Sequence, residues 1–79
     1  MTQNLNQTRQ PKPVMTIVVN GTPFELAERA TVASLVELRQ PRPPFAIELN
    51  KRLVRRSAYA TTHLNPGDTL EIVTLVGGG

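Results

Sequence analysis

Cysteine is missing from the 79-residue sequence, and this absence excludes several kinds of chemistry. A chain without cysteine has no disulfide, no thiolate metal ligand and no thiol nucleophile. Histidine occurs once, as His63, so the ligands of a zinc site are lacking and His63 is interpreted as a loop residue. The sequence therefore predicts no bound metal or other cofactor. Any sulfur that this protein handles must come from another molecule.

The sequence also lacks long apolar runs, and it does not begin with an apolar segment that is flanked by positively charged residues. The sequence predicts neither a membrane span nor a secretory signal, and a cytoplasmic location is expected. No grouping of serine, histidine and acid indicates a catalytic triad, so the chain is not expected to be an enzyme.

Charged residues are few, with nine lysines and arginines against six acids, for a formal charge of +3. Two of the basic residues, Arg9 and Lys12, precede residue 14, so the rest of the chain carries seven basic and six acidic residues. A charge this small does not indicate a nucleic-acid partner, which requires a clustered basic face.

One basic cluster does exist, and it consists of Lys51, Arg52, Arg55 and Arg56. It keeps a small RNA-binding module, S4-like or TGS-like, as the alternative from another functional class. Such modules stack bases on aromatic rings, whereas the three aromatic residues here fall at predicted core positions: Phe24, Phe45 and Tyr59. A solvated turn is the preferred interpretation of the cluster, and no nucleic-acid partner is expected.

The length allows one domain. Residues 1–13 contain a single strong hydrophobe, Leu5, among polar residues and prolines, too little apolar surface to offset the entropy of ordering them. They are predicted to be a flexible leader, followed by a folded domain over residues 14–76 and a flexible Gly-Gly-Gly tail over residues 77–79.

Alternating apolar residues predict strands over residues 15–20, 22–26, 45–50, 53–55 and 69–76. In the first strand, Met15, Ile17 and Val19 share one face. The dipeptide Asn20-Gly21 tolerates positive φ and predicts a tight hairpin turn, and a second turn is expected at residues 50–52. Pro23 has no N–H to donate, so it belongs at the start of a strand or on an edge strand.

A short helix is predicted after Thr31, whose hydroxyl can cap it. Its buried stripe contains Val32, Leu35 and Val36, continued by Leu38 or by the stem of Arg39. The prolines from residue 41 onward forbid its continuation. Residues 56–65 are expected to be irregular or to carry one short helical turn, anchored to the core by Tyr59 and Leu64. Residues 65–68, Asn-Pro-Gly-Asp, predict a turn.

A hairpin, one helix and then further strands make an α+β fold of the β-grasp, or ubiquitin-like, type, with a mixed sheet of four to five strands packed on one helix. The spacing of the elements leaves the strand order open.

The three final glycines contribute nothing to packing and cost conformational entropy, so stability alone does not explain them. Without side chains they form a thin thread that ends in the carboxylate of Gly79. ATP can activate such a carboxylate by adenylation, and a sulfur nucleophile that displaces AMP then leaves a thiocarboxylate. A protein with no cysteine could carry sulfur in this way.

Residues 15–79 resemble the ThiS family, the sulfur carriers of thiamine biosynthesis. Several short segments carry the resemblance in order: Val19-Asn20-Gly21, Thr31-Val32, Ile47-Glu48-Leu49-Asn50, Val54-Arg55-Arg56-Ser57 with Tyr59, Gly67-Asp68, Leu70-Glu71-Ile72-Val73 and Gly78-Gly79. The leader, the proline-rich connection at residues 41–44 and the mildly basic charge depart from the family pattern.

The resemblance implies that Gly79 is the site of the acyl-adenylate and the thiocarboxylate, with Gly77 and Gly78 as the rest of the reactive tail. A ThiF-type adenylating enzyme would consume ATP, a cysteine desulfurase-type system would supply sulfur, and the thiazole synthase ThiG would accept it. The chain is then a protein cosubstrate. A molybdopterin-type sulfur carrier and a ubiquitin-like modifier share the activation step and are the alternatives within this class.

The activating enzyme needs a docking surface near the tail, and the candidates are Val73, Leu75 and Val76. Alternation along a strand turns one of its faces outward, so some of these side chains are expected to be exposed, and burial against the helix is the competing expectation.

Overall fold

The computed structural model describes residues 13–75, which form one five-stranded sheet covered on one face by a helix. The strands are β1 (Val14–Val19), β2 (Thr22–Ala27), β3 (Phe45–Leu49), β4 (Arg52–Val54) and β5 (Thr69–Thr74). Helix α1 (Val32–Arg39) lies between β2 and β3, and a 3-10 helix (Arg56–Thr61) lies between β4 and β5. The strand order is β2-β1-β5-β3-β4, with β5 parallel to β1 and the other pairs antiparallel. The predicted β-grasp fold is confirmed.

Two tight turns set the register of the hairpins. Asn20 and Gly21 have φ values of 49° and 83°, and they join β1 to β2 with Val19 opposite Thr22. Asn50 and Lys51, with φ values of 52° and 71°, join β3 to β4 in the same way. Positive φ at both central residues is the type I′ geometry that matches the twist of the strands.

Two details of the hairpins follow from these turns. The predicted turn at residues 50–52 is one residue too long, because Arg52 already pairs with Leu49 in β4. The prediction for Pro23 is confirmed, because β2 is an edge strand.

Helix α1 begins where the sequence predicts. The Thr31 hydroxyl accepts the Ser34 backbone N–H at 3.2 Å, and the Ser34 hydroxyl accepts the Thr31 N–H at 3.2 Å, which makes a capping box. The helix ends at Gln40, whose φ of 46° is left-handed. Val32 and Leu35 are buried, whereas Leu38 is 64% exposed, and the Arg39 guanidinium lies 5.6 Å from the centre of the Phe24 ring. Val36 is half-buried and both Leu38 and Arg39 are exposed, so the predicted continuation of the buried stripe beyond Val36 is wrong.

The core lies between α1 and the inner face of the sheet. Ten buried residues form it: Met15, Ile17, Val19, Leu26, Val32, Leu35, Ile47, Leu64, Leu70 and Ile72. Tyr59 packs against this cluster, so both predicted loop anchors, Tyr59 and Leu64, are in place. Within residues 13–75, no helix is long and apolar enough to cross a membrane.

Candidate functional site

The predicted reactive tail, Gly77, Gly78 and Gly79, lies outside the described residues, as does the candidate docking residue Val76. The structure shows the strand that precedes the tail. β5 occupies the middle of the sheet, between β1 and β3, and Leu75 is the last residue described. The predicted strand over residues 69–76 is too long, since β5 ends at Thr74, although the Leu75 N–H still donates to the Pro44 carbonyl at 2.9 Å.

Val73 and Leu75 are exposed on the outer face of the sheet, by 39% and 49% respectively. Their neighbours Leu70 and Ile72 point to the opposite face and are buried under the helix, which is the consequence of alternation in a strand covered on one side. Ala46 is the cross-strand partner of Val73 and faces outward beside it. We call Ala46, Val73 and Leu75 the β5 patch. Docking at this patch stays a prediction, and the structure supplies the exposure that docking requires.

An acidic pair borders the β5 patch. Glu48 and Glu71 are direct cross-strand partners on the outer face, and Leu53 is the next residue across the sheet from Glu48. Like charges directly opposite each other in a sheet repel, so this pair does not stabilise the fold. The outer face thus combines apolar side chains with a negative charge in its middle.

Among the strands of residues 13–75, the second half of β5 has a neighbour on only one side. β1 pairs with β5 only at Val18–Thr69 and Val19–Leu70, so Ile72 lies beyond the end of β1. The side chain of Asn20 occupies the place of the missing strand. Its Nδ2 donates to the Ile72 carbonyl at 3.2 Å, and its Oδ1 accepts the Ile72 N–H at 2.7 Å. Asn20 therefore mimics a peptide group and holds β5 in register close to the tail.

The turn that follows β3 holds the beginning of β5 through the side chain of a second asparagine, Asn50. Asn50 accepts the Thr69 N–H at 2.9 Å through Oδ1 and donates to the Asp68 carboxylate at 3.1 Å through Nδ2. Asp68 in turn accepts the Asn65 N–H at 2.8 Å, which confirms its interpretation as a turn residue. Both tight-turn asparagines thus bind β5.

The sequence predicts only turns at Asn20 and Asn50 and does not reveal their contacts with β5. The available signal was the residue type itself. Glycine or aspartate also suits a type I′ turn, but only asparagine offers a donor and an acceptor together. Recognising the partner strand would have required the strand order, which the sequence left open.

The structure also places His63 and the basic cluster that the sequence analysis considered. His63 is exposed and forms an isolated bridge with Thr31. Among residues 13–75, no group of three or more histidine, cysteine or acidic side chains could hold a metal ion. The basic cluster Lys51, Arg52, Arg55 and Arg56 is exposed around β4, on the far side of β3 from β5.

A mixed five-stranded sheet with β5 in its middle, parallel to β1, and one helix over one face defines the β-grasp class of small domains. The ThiS family profile matches residues 17–79, most of the chain. The chain belongs to the ThiS family, as the sequence resemblance predicts.

Solved structures agree with this assignment. The crystal structure of the thiamine biosynthesis protein ThiS from Geobacter metallireducens is 30% identical, with a TM-score of 0.72 over 82% of this chain and 100% of that chain. A solution NMR structure of a thiamine biosynthesis protein from the same organism gives a TM-score of 0.68 at 30% identity, over 82% of this chain and 88% of that one.

Two related proteins differ greatly from each other in length. A thiazole synthase of Paramagnetospirillum magneticum is 39% identical over 66 residues, which are 82% of this chain and 20% of that protein. This chain therefore spans about a fifth of the length of that enzyme. The uncharacterized protein ycf40 of Porphyra purpurea is 35% identical over 82% of this chain and 93% of its own length.

Proposed function

We propose that this protein is a sulfur carrier of thiamine biosynthesis whose Gly79 carboxylate is converted to a thiocarboxylate. Adenylation joins a carboxylate oxygen to the α-phosphorus of ATP and releases pyrophosphate. The outer sulfur of a persulfide then attacks the acyl carbon, forms the C–S bond and displaces AMP. A thiol reductant cleaves the S–S bond of the resulting acyl disulfide and leaves the thiocarboxylate, whereas hydrosulfide gives the thiocarboxylate in one step. The chain acts as a cosubstrate, and a ThiF-type enzyme supplies the ATP chemistry.

The observation that carries this proposal is the position of the β5 patch in a ThiS-family chain. Val73 and Leu75 are exposed within the few residues before the triglycine, on a strand fixed in the middle of the sheet. A partner that covers the patch would hold the glycines at a constant distance from its own active site. Adjacent exposed apolar side chains of this kind are typical of protein interfaces.

The thiazole synthase relative supports the choice of sulfur acceptor. A protein with that name contains a segment 39% identical to 66 residues of this chain, and the rest of its length is about four times as long as the segment. A carrier-like segment within a thiazole synthase is expected if the two parts work on the same reaction. We therefore infer that thiazole synthase ThiG accepts the sulfur, and that a cysteine desulfurase-type system supplies it.

Intact-mass spectrometry tests the tail chemistry. The full chain is incubated with its activating enzyme, ATP and sulfide, and we expect the mass gain of one oxygen replaced by sulfur. Omission of ATP is the control for chemistry that does not depend on adenylation. Deletion of Gly78 and Gly79 should abolish the gain and leave the melting temperature unchanged, because the ten buried core residues all fall between Met15 and Ile72.

Two results would contradict the proposal. One is an unmodified mass after complete ATP consumption. The other is native protein that extends beyond Gly79, since the carboxylate would then not exist. Isopeptide linkage to lysines of other proteins would instead identify a ubiquitin-like modifier.

A further inference from the structure

A positively charged segment occupies the open edge of the sheet at β4. Residues 51–56 contain four basic residues and no acid: Lys51, Arg52, Arg55 and Arg56. All four are exposed, and β4 is the last strand in the sheet order. We call these four residues the basic edge. The rest of residues 13–75 holds three basic residues against six acids, so the positive charge is concentrated here.

The backbone of Leu53 is directed away from the sheet. The Asn50 N–H donates to the Thr69 carbonyl at 2.7 Å, so the N–H and C=O groups of Asn50 and, by alternation, of Glu48 face β5. Glu48 is the cross-strand partner of Leu53, so their pair exchanges no hydrogen bonds. The N–H and C=O groups of Leu53 therefore point to the edge of the sheet, where no other strand within residues 13–75 covers them and an added strand could pair with them.

A groove lies beside this free backbone. It has a volume of about 480 Å³, and Phe45, Ala46, Leu53 and Tyr59 line it together with Arg55 and Arg56. Leu53 is 67% exposed, the most exposed of the large hydrophobic residues described. Charges on an edge strand also prevent pairing between copies, but that role does not need an apolar groove.

We propose that the basic edge binds an extended, acidic segment of another protein, which pairs with β4 as an added strand. The free N–H and C=O groups of Leu53 supply the backbone pairing, and an apolar side chain of the segment fills the groove. Acidic side chains on either side of it face Arg52, Arg55 and Arg56. Strand addition of this kind takes affinity from the main chain and specificity from pockets for alternate side chains. The inference goes beyond the tail chemistry, since none of these residues belongs to the tail.

Titration followed by NMR tests this proposal on the full chain. The probe is a short synthetic peptide that alternates glutamate with valine and isoleucine, and a peptide with lysine in place of each glutamate is its control. We expect saturable amide shifts at residues 45–46 and 51–59 with the acidic peptide only. A single-stranded RNA that binds there while the acidic peptide does not would overturn the proposal and indicate a nucleic-acid site.

Charge-reversal variants distinguish peptide binding at the basic edge from an effect of the net charge of the protein. The double variant Arg52→Glu/Arg55→Glu should weaken peptide binding at least about tenfold, since it replaces attraction by repulsion at two positions. Arg29→Glu/Arg42→Glu changes the net charge equally at exposed positions outside β4, and it should alter binding less than about threefold. Equal effects of the two double variants, or binding of the peptide at another surface, would overturn the proposal.

A second pair of variants tests the added strand. Leu53→Pro removes the free N–H without breaking a hydrogen bond to β3, because proline is tolerated at such edge positions. Leu53→Ala removes the same apolar side chain and keeps the N–H. We expect Leu53→Pro to bind the peptide at least about tenfold more weakly than Leu53→Ala. Proline removes one backbone hydrogen bond to the peptide, between charged side chains, and with it the register of the added strand. Equal binding by the two variants would overturn strand addition, whatever the outcome of the thiocarboxylate assay.

Discussion

At the scale of single residues, Asn20 has two functions that sequence analysis could only half predict. Its position before Gly21 and its tolerance of positive φ predict the turn. Its contact with Ile72 joins residues 52 positions apart, and it exists only because β5 lies beside β1. Local patterns determine turns and strands, whereas side-chain contacts between strands depend on a topology that spacing does not fix.

The contribution of Asn20 can be measured by two substitutions. Asn20→Gly suits the turn but removes both hydrogen bonds to Ile72, and Asn20→Asp removes the donor to the Ile72 carbonyl. Each should lower the free energy of unfolding by about 1–2 kcal/mol, because buried backbone groups of β5 lose their partner. In thermal unfolding this is a fall in melting temperature of about 4–16 °C for a domain of this size. A neutral or stabilising Asn20→Gly would show that Asn20 serves the turn alone.

At the scale of elements, alternation and capping signals place the strands and the helix, and errors occur at their ends. The predicted last strand runs to residue 76, yet β5 ends at Thr74, because apolar residues continue past the point where regular pairing ends. Leu38 looked like a core residue since it is apolar and lies in the helix, but the helix turns it away from the sheet. The β5 patch could be predicted only as a set of candidates, because exposure depends on which face α1 covers.

The proposed docking role of the β5 patch predicts different effects for two equivalent substitutions. Val73→Asp, in the β5 patch, should slow thiocarboxylate formation at limiting activating enzyme at least about tenfold, since it places a charge in an apolar contact. Val14→Asp is the matched control, because Val14 is 57% exposed on β1 at the opposite end of the sheet from Leu75. Valine to aspartate in a strand costs up to about 1 kcal/mol, and Glu48 and Glu71 add repulsion at residue 73, so the rates are compared at equal concentrations of folded protein. Equal rates for the two variants would contradict docking through the β5 patch.

At the scale of the whole molecule, one small core supports the fold, and α1 provides a matched pair of leucines to measure it. Leu35 is fully buried and Leu38 is 64% exposed on the same helix, so Leu→Ala changes the helix propensity equally at both positions. Leu35→Ala should cost about 2–5 kcal/mol through lost contacts and a residual cavity. That is a large share of the roughly 5–15 kcal/mol that stabilises a typical domain.

Leu38→Ala should leave the free energy of unfolding within about 0.5 kcal/mol, because its side chain is already mostly in water. Urea unfolding followed by circular dichroism gives the free energy of unfolding of each variant. A single transition for each shows that the domain unfolds as one unit. Comparable losses for the two variants would mean that α1 is rotated relative to the sheet. The burial of Leu35 and the exposure of Leu38 would then be wrong.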